Sequence, residues 1–416
     1  MLNCGGAATR MQNTLNDYEC VVSSSTSFAD VASAAVRPPF DPSVIALLDA
    51  WSVQILAQPD ARSQSPLVTF AFWCRKNNLE VLRKRWMRGF SGSELLLGRG
   101  LVFHVASSNM PLNVGYTLAI GLLSGNSNIV KLALRKFPQT ESLLKALSHV
   151  LQEERFATLA SNVCIVRYDM AQTALTDQLS VLCNVRMIWG GDDTIGQIRL
   201  SPLRPHAFDI CFSERYSLCI INCDEMEAAG DMQDLAQDFY NDAYLFDQNA
   251  FTAPQLVVWL GQDEAKRVKI KQEFWEVVLH LVQQRYAVDA SLAADKLTIL
   301  CREAADQGQV QREHGIDNRL VRIRLKQLDH AVYDYKGLGG LFHEYDASSL
   351  QDLASFIDRR VQTVAYHALE ADTIKQLIRN NHLQGVDRVV PIGRTAEFDI
   401  VWDGFDLIQM LTRVVV

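Results

Sequence analysis

The sequence predicts an α/β protein of two domains with a cleft between them, and three observations carry that expectation. The chain has 416 residues, 48% of them hydrophobic, enough for two or three cores. From Gly98 onward, short apolar runs alternate with helical patterns, the signature of a parallel sheet covered by helices. The alternation also occurs twice, one series ending near Trp189 and a second opening at Ser217-Leu218-Cys219-Ile220-Ile221.

Taken in order, residues 1–43 lack periodicity, include Ser23-Ser24-Ser25-Thr26-Ser27 and end near Pro38-Pro39, so a loose arm is expected there. Val44–Leu56 and Pro66–Trp86 carry apolar residues at helical spacing. Leu101–Val105 is short and mostly apolar, as a strand buried on both faces must be. A Ser-Ser-Asn-Met-Pro turn follows, then a helix over Leu112–Leu123, a strand over Asn128–Leu134 and a helix over Gln139–Glu153. Val163–Val166 and Val185–Trp189 read as further strands. In the second series, a helix near Met226–Tyr240 leads to a Phe246-Asp247-Gln248-Asn249 turn. A strand over Gln255–Leu260 and a long helix over Gln262–Tyr286 follow.

The formal charge of −8 excludes a nucleic-acid partner, which would need a basic face to displace counterions. The nine cysteines form no C-x-x-C pair, so no metal site is expected, and an odd, scattered count suits a reducing cytosol. The longest apolar stretch, near Val114–Leu123, falls far short of the ~20 residues of a membrane span. No basic stretch followed by an apolar core marks a signal peptide, and a cytoplasmic location is expected.

Three short constellations can carry chemistry. Ser107-Ser108-Asn109-Met110-Pro111 follows a strand, where an asparagine amide can stabilise an oxyanion; the same residues also suit a helix cap. Gly125-Asn126-Ser127-Asn128-Ile129-Val130-Lys131 is a turn into a strand ending on a lysine, which can meet a ribose or phosphate or simply sit exposed at the strand end. Arg135 and Lys136 follow with no acidic residue in between, which favours a ribose phosphate over a free ribose. Trp189-Gly190-Gly191-Asp192-Asp193-Thr194-Ile195-Gly196 closes a strand and opens a helix whose glycines admit a pyrophosphate, or it is a plain capped helix start.

The order and spacing of these pieces resemble the aldehyde dehydrogenase superfamily, and more specifically the LuxC-type acyl-CoA reductases, the fatty-acid reductases of bacterial bioluminescence and their relatives. Further matching stretches are Glu214-Arg215-Tyr216-Ser217, Phe246-Asp247-Gln248-Asn249-Ala250, Gly385–Gly393 and Trp402-Asp403-Gly404. The resemblance runs from about Val44 to the C-terminus. It implies an aldehyde dehydrogenase-like fold of two Rossmann-like domains, with an NADP-binding domain over 44–212 and a catalytic domain over 213–384. Residues 385–416 would pack back or mediate oligomerisation. Carried over, Asn109 is the side-chain oxyanion donor, and Ser107, Lys131, Arg135, Gly190, Gly191, Asp192 and Gly196 surround the cofactor. The implied reaction is NADPH-dependent reduction of an acyl-CoA or acyl thioester to the aldehyde through a cysteine acyl-enzyme. An acyl-protein synthetase is the implied partner and a homo-oligomer the implied assembly.

One position departs from the family. The turn that should present the nucleophilic cysteine reads Asp247-Gln248-Asn249-Ala250-Phe251-Thr252-Ala253-Pro254-Gln255, with Phe251 in its place. Cys219 and Cys223 read as core thiols, and Thr252 has no evident activating histidine. The wider superfamily's general-base glutamate would fall near Phe212, where none stands; Glu214 lies two residues on. Its absence suits an enzyme that must not hydrolyse its acyl thioester, and disfavours a non-acylating aldehyde dehydrogenase. The alternative to a reductase is a catalytically silent subunit that binds nucleotide or holds a partner.

Overall fold

The computed structural model describes residues 18–25, 27–59, 64–90, 93–228, 231–307, 311–312 and 317–416. The chain divides into two compact units. One runs to Ser213 and includes Phe398–Val416; the other is Glu214–Glu397.

In the first unit, β1 (Glu19–Ser23) and α1 (Phe28–Ala32) precede α2 (Pro42–Leu56), α3 (Ser65–Trp73), α4 (Lys76–Met87) and β2 (Leu95–Gly98). Strands and helices then alternate: β3 (Leu101–Val105), α5 (Asn113–Leu123), β4 (Ser127–Leu132), α6 (Pro138–Leu151), α7 (Ala157–Ala160) and β5 (Val163–Arg167). The series closes with α8 (Thr173–Leu182), β6 (Val185–Trp189), α9 (Asp192–Arg199) and β7 (Phe208–Phe212). The sheet order is β1-β5-β4-β3-β6-β7. Every residue of β3, β4, β5 and β6 is buried, which is why these strands read as largely apolar runs, with the polar residues His104, Asn128, Lys131, Arg167 and Arg186 buried among them. Val102 faces Asn128 on one side and Val185 on the other, so the three runs share one parallel sheet. Trp51, Phe70, Leu118 and Leu143 fill one face; Phe103, Ile129, Leu175 and Leu179 fill the other.

Two expectations are corrected here. The helical run Pro66–Trp86 is two helices, because the Asn78 side chain donates to the Trp73 carbonyl (2.7 Å) and Asp49 accepts from the Lys76 N–H (2.9 Å), capping both sides of the break. The expected loose arm also carries structure: β1 pairs antiparallel with β5, and Tyr18 packs on Phe28. Its apolar residues are few, but they meet a waiting sheet edge. Residues 1–17 of that arm lie outside the described residues.

The second unit contains β8 (Tyr216–Asn222), α10 (Met232–Ala243), β9 (Leu256–Leu260), α11 (Glu264–Arg285), α12 (Ala290–Gln307), β10 (Gln311–Arg312) and β11 (Val321–Arg324). After them come β12 (Leu341–Ala347), β13 (Val361–His367), α13 (Ala371–Asn380) and β14 (Arg388–Pro391). The order is β10-β11-β12-β9-β8-β13-β14, parallel except for β10. Phe239, Trp259, Phe274, Trp275 and Phe342 dominate the core on one face. The helix expected from Met226 starts at Met232, where Asp231 caps it by accepting from the Gln233 N–H (3.0 Å).

The chain then returns to the first unit through β15 (Val401–Trp402), β16 (Phe405–Asp406), α14 (Leu407–Met410) and β17 (Thr412–Val415). Strand β17 pairs antiparallel with β2, and Leu407, Ile408 and Leu411 are buried in the first core. The segment expected as one piece over 385–416 is therefore divided after Glu397, since β14 completes the second sheet while the apolar residues beyond complete the first core. Among the described residues no helix is long and apolar enough to cross a membrane, and no cluster of His, Cys, Asp or Glu could hold a metal ion.

Candidate active site

In the first sheet the chain runs outward through β3, β4 and β5, then returns to the other side of β3 with β6 and β7. The reversal between β3 and β6 is a topological switch point, where α/β sheets open a crevice beyond the carboxyl ends of their strands. The first-unit candidate residues lie on the segments that leave β3, β4 and β6.

The turn after β3 is shaped by its own polar groups. Asn113 Oδ1 accepts from the Ser107 N–H (2.9 Å), and the Ser107 hydroxyl donates to Asn109 Oδ1. Asn109 is exposed, and with its oxygen engaged its NH2 end makes no hydrogen bond among the described residues. A donor held this way can meet a developing negative oxygen.

Lys131, one residue before the end of β4, lies opposite Val105. It is only 4% exposed, which corrects the reading of an exposed strand-end lysine. Its ammonium lies 5.3 Å from the centre of the Tyr168 ring, and burial pulls its pKa down to about 8 against the opposing pull of Asp169. A buried lysine with no ion pair among the described residues is a cation prepared for an anionic or polar ligand.

Gly191 is the N-cap of α9 and supplies no side-chain cap hydrogen bond to the positive end of that helix. At Gly196 a Cβ atom would meet nothing within 4 Å, and at Gly190 it would approach Thr194. Asp192 and Asp193 are exposed in the first turn. These residues fit a dinucleotide: open backbone after β6 and a buried cation on β4, the two strands that flank β3.

Beside Lys131, Arg135 stacks on Phe137 (4.6 Å) and lines a small pocket with Ser107, Pro111, Thr140 and Arg167. Sequence spacing showed no acid near this basic run, but the fold supplies two. Glu19 pairs with Arg167 (3.0 Å) and Lys136 (3.4 Å), and Glu141 pairs with Arg167 (2.5 Å). Lys136 is thus already engaged, whereas Arg135 makes no ion pair among the described residues. No local signal could have found Glu19, because it arrives from the segment read as a loose arm.

In the second unit, the turn between α10 and β9 holds two consecutive non-glycine residues in the left-handed region, Asp247 (φ 51°) and Gln248 (φ 61°). Such backbone is unfavourable for residues with a Cβ and persists only where neighbours over-determine it. Buried Gln248 does so. Its Nε2 donates to the carbonyls of Leu341 (2.9 Å) and Pro254 (3.0 Å), and its Oε1 accepts from the N–H groups of Gly340 (3.1 Å) and Leu341 (3.2 Å). Gly340 (φ 91°) is required there, since a Cβ would strike the Arg319 carbonyl at 2.1 Å. The Asp247 carbonyl accepts from Gly339 N–H (3.0 Å), and Tyr286 donates its hydroxyl to Asp247 Oδ1 (2.7 Å). Lys296, buried behind the loop, donates to the Gly339 carbonyl (2.6 Å).

This frame delivers Phe251. Its carbonyl accepts from the Ser217 hydroxyl (2.6 Å), whose oxygen in turn accepts from the Thr363 N–H (3.2 Å). The half-buried Phe251 ring lies 5.5 Å below the Lys336 ammonium, which also pairs with Glu214 (3.7 Å). Thr252 is buried. Cys219 and Cys223 are buried too, and burial pushes both thiols up, Cys223 to about 12 and Cys219 beyond the usual thiol range. Neither is a thiolate near neutral pH. The sequence pointed to Phe251 and its turn; it did not reveal the loop at 339–341 that holds them.

No curated protein matches the chain. Solved structures that resemble it are aldehyde dehydrogenases. A NAD-dependent benzaldehyde dehydrogenase from Corynebacterium glutamicum superimposes with a TM-score of 0.60 at 14% identity, covering 93% of this chain and 86% of its own. Aldehyde dehydrogenase 21 from Physcomitrella patens gives 0.63 at 13%, covering 93% and 87%. An NADP-dependent glyceraldehyde-3-phosphate dehydrogenase from Bacillus halodurans C-125, solved with NADP, gives 0.58 at 14%, covering 90% and 86%. At such identities they establish the fold alone, an aldehyde dehydrogenase fold. The sequence profile described as Acyl-CoA reductase (LuxC) matches residues 67–307, more than half of the 416 residues, and the chain therefore belongs to the LuxC acyl-CoA reductase family.

Proposed function

We propose that the protein is an NADPH-binding acyl-CoA reductase scaffold whose covalent step is withheld at Phe251. The observation that carries this reading is the Asp247–Gln255 turn, whose strained backbone is held by four hydrogen bonds from buried Gln248 while it presents a side chain without a nucleophile. A thiolate at position 251 would attack the acyl carbonyl and expel coenzyme A; a phenyl ring can do neither.

The first unit's residues support the cofactor half of the reaction. Lys131 and the amides opening α9 bind and orient the dinucleotide, and Arg135 faces a ribose phosphate, which makes NADPH the preferred form. Asn109 offers its NH2 group to a developing oxyanion. The cofactor, when bound, supplies hydride to the acyl carbon. Lys336 over the Phe251 ring favours a second reading, a silent subunit that binds nucleotide and holds acyl-CoA or a partner synthetase, because this pairing fills the nucleophile's place with a settled contact.

The deciding experiment incubates the protein and its Phe251→Cys variant with acyl-CoA and NADPH, then measures intact mass and aldehyde. The expected result is a thioester adduct and aldehyde from the variant, and neither from the unmodified protein. Equal aldehyde formation by both would show that position 251 is not the catalytic position. No adduct on the variant, despite NADPH binding, would favour the silent subunit.

A further inference from the structure

We propose that Cys20 and Cys164 form an oxidisable thiol pair, a disulfide site that staples β1 to β5 at the edge of the first sheet. The two strands run antiparallel, with Cys20 opposite Val166, Val22 opposite Ile165 and Ser23 opposite Cys164. The register slips by one residue between Cys20 and Val22. Cys164 and Val166 project from the same face of β5, so Cys20, across from Val166, lies on the side where Cys164 points. An extra residue on one strand bends it locally and re-aims its side chains. Both sulfurs thus lie on one face of the sheet edge, near enough for each thiol to shift the other's ionisation.

The two sulfurs are not equivalent. Cys20 is half-exposed on the edge strand, whereas Cys164 is 4% exposed against Phe103, Leu175 and Leu179. The interaction between the two thiols draws Cys20 down to about 7 and pushes Cys164 up, so near neutral pH the accessible sulfur is the nucleophilic one. Cys74, Cys183, Cys219 and Cys223 differ in being buried thiols raised by burial.

The chemistry balances with hydrogen peroxide as oxidant. Cys20 thiolate attacks one peroxide oxygen, giving a sulfenic acid and hydroxide. The Cys164 thiol then displaces the sulfenic oxygen, which leaves as water with the Cys164 proton, and the proton that Cys20 gave up on ionising neutralises the hydroxide. Two thiols and one peroxide become one disulfide and two waters. Glu19, adjacent to Cys20, holds Arg167 and Lys136, so the disulfide would also fix that carboxylate against the basic cluster.

The test treats the full chain with peroxide, quenches it, and maps its peptides without reduction. The expected product is a Cys20–Cys164 cross-linked peptide, with the thiol count after unfolding falling by two from nine, restored by dithiothreitol. In the Cys164→Ser variant, Cys20 should remain as a sulfenic acid that dimedone labels; Cys20→Ser should give no label at Cys164. Hydrogen exchange of the Glu19–Ser23 amides should slow several-fold on oxidation of the unmodified chain and stay constant in Cys20→Ser. Sulfinic acid at Cys20 beside a free Cys164, no reaction at either sulfur, or exchange unchanged by a formed disulfide would each overturn the proposal.

Discussion

The candidate residues of the first unit and those of the second are built on opposite principles. In the first unit two distinctive groups are left open among the described residues: the NH2 of Asn109 makes no hydrogen bond and the buried ammonium of Lys131 makes no ion pair. In the second unit they are fully engaged, Gln248 above all, with four hydrogen bonds from one side-chain amide. Groups intended for a ligand must be left wanting one, which lowers stability until the ligand arrives. Groups that fix a backbone shape stabilise the fold whether or not chemistry follows. Substitutions in the two regions should therefore separate binding from folding.

The largest effect is expected at Gln248. Gln248→Ala would orphan four buried backbone groups and release the left-handed turn, lowering unfolding free energy by about 3 kcal/mol in urea titration. Combined with Phe251→Cys it should also remove most of the acyl adduct. A loss below about 1 kcal/mol would mean that the turn is held elsewhere.

Lys131→Met should act in the reverse sense, raising stability at pH 7 by on the order of 2 kcal/mol while weakening NADPH binding at least tenfold. The pH dependence follows from the sign of its shift. The folded-state pKa, about 8, lies below the ordinary lysine value, so between the two the unfolded chain binds more protons. Stability should rise with pH through that window in the unmodified protein and lose this component in the variant. NADPH affinity should fall above pH 8, as the ammonium discharges. A flat affinity profile from pH 7 to 9 would remove Lys131 from the cofactor site.

Arg135→Glu should erase a preference for NADPH over NADH of roughly tenfold, about 1.4 kcal/mol, with the melting temperature unchanged. Equal affinities in the unmodified protein would contradict the assignment before any substitution. Asn109→Ala should likewise leave folding nearly untouched: the residue is exposed, so unfolding free energy should change by less than about 0.5 kcal/mol. A larger change would expose a structural role for the turn after β3.

Where the sequence spoke clearly, the signal was local. Strands β3, β4, β5 and β6 are buried on both faces and betray themselves as short, mostly apolar runs. The order of Asn109, Lys131, Gly191 and Phe251 was equally legible, since each follows a strand or turn of recognisable composition. What stayed hidden was non-local. Glu19 reaches Arg167 across 148 positions, and Gln248 reaches Leu341 across 93. The break at Cys74-Arg75 depends on an acceptor from α2, and nothing in Pro66–Trp86 alone announces it. Burial of Lys131 was also invisible, because a lysine in sequence carries no record of what covers it.

The return of the chain at Phe398 sets an order on synthesis. The second unit is one continuous stretch, Glu214–Glu397, and all of it has been made before the first unit receives its final pieces. Strand β2 must wait for β17, and the first core for Leu407, Ile408 and Leu411, the last apolar side chains it takes from the C-terminal segment. On the ribosome, then, the unit translated first is the one completed last. A chain released after Glu397 would carry a whole second unit beside a first unit with an unpaired edge and an open core.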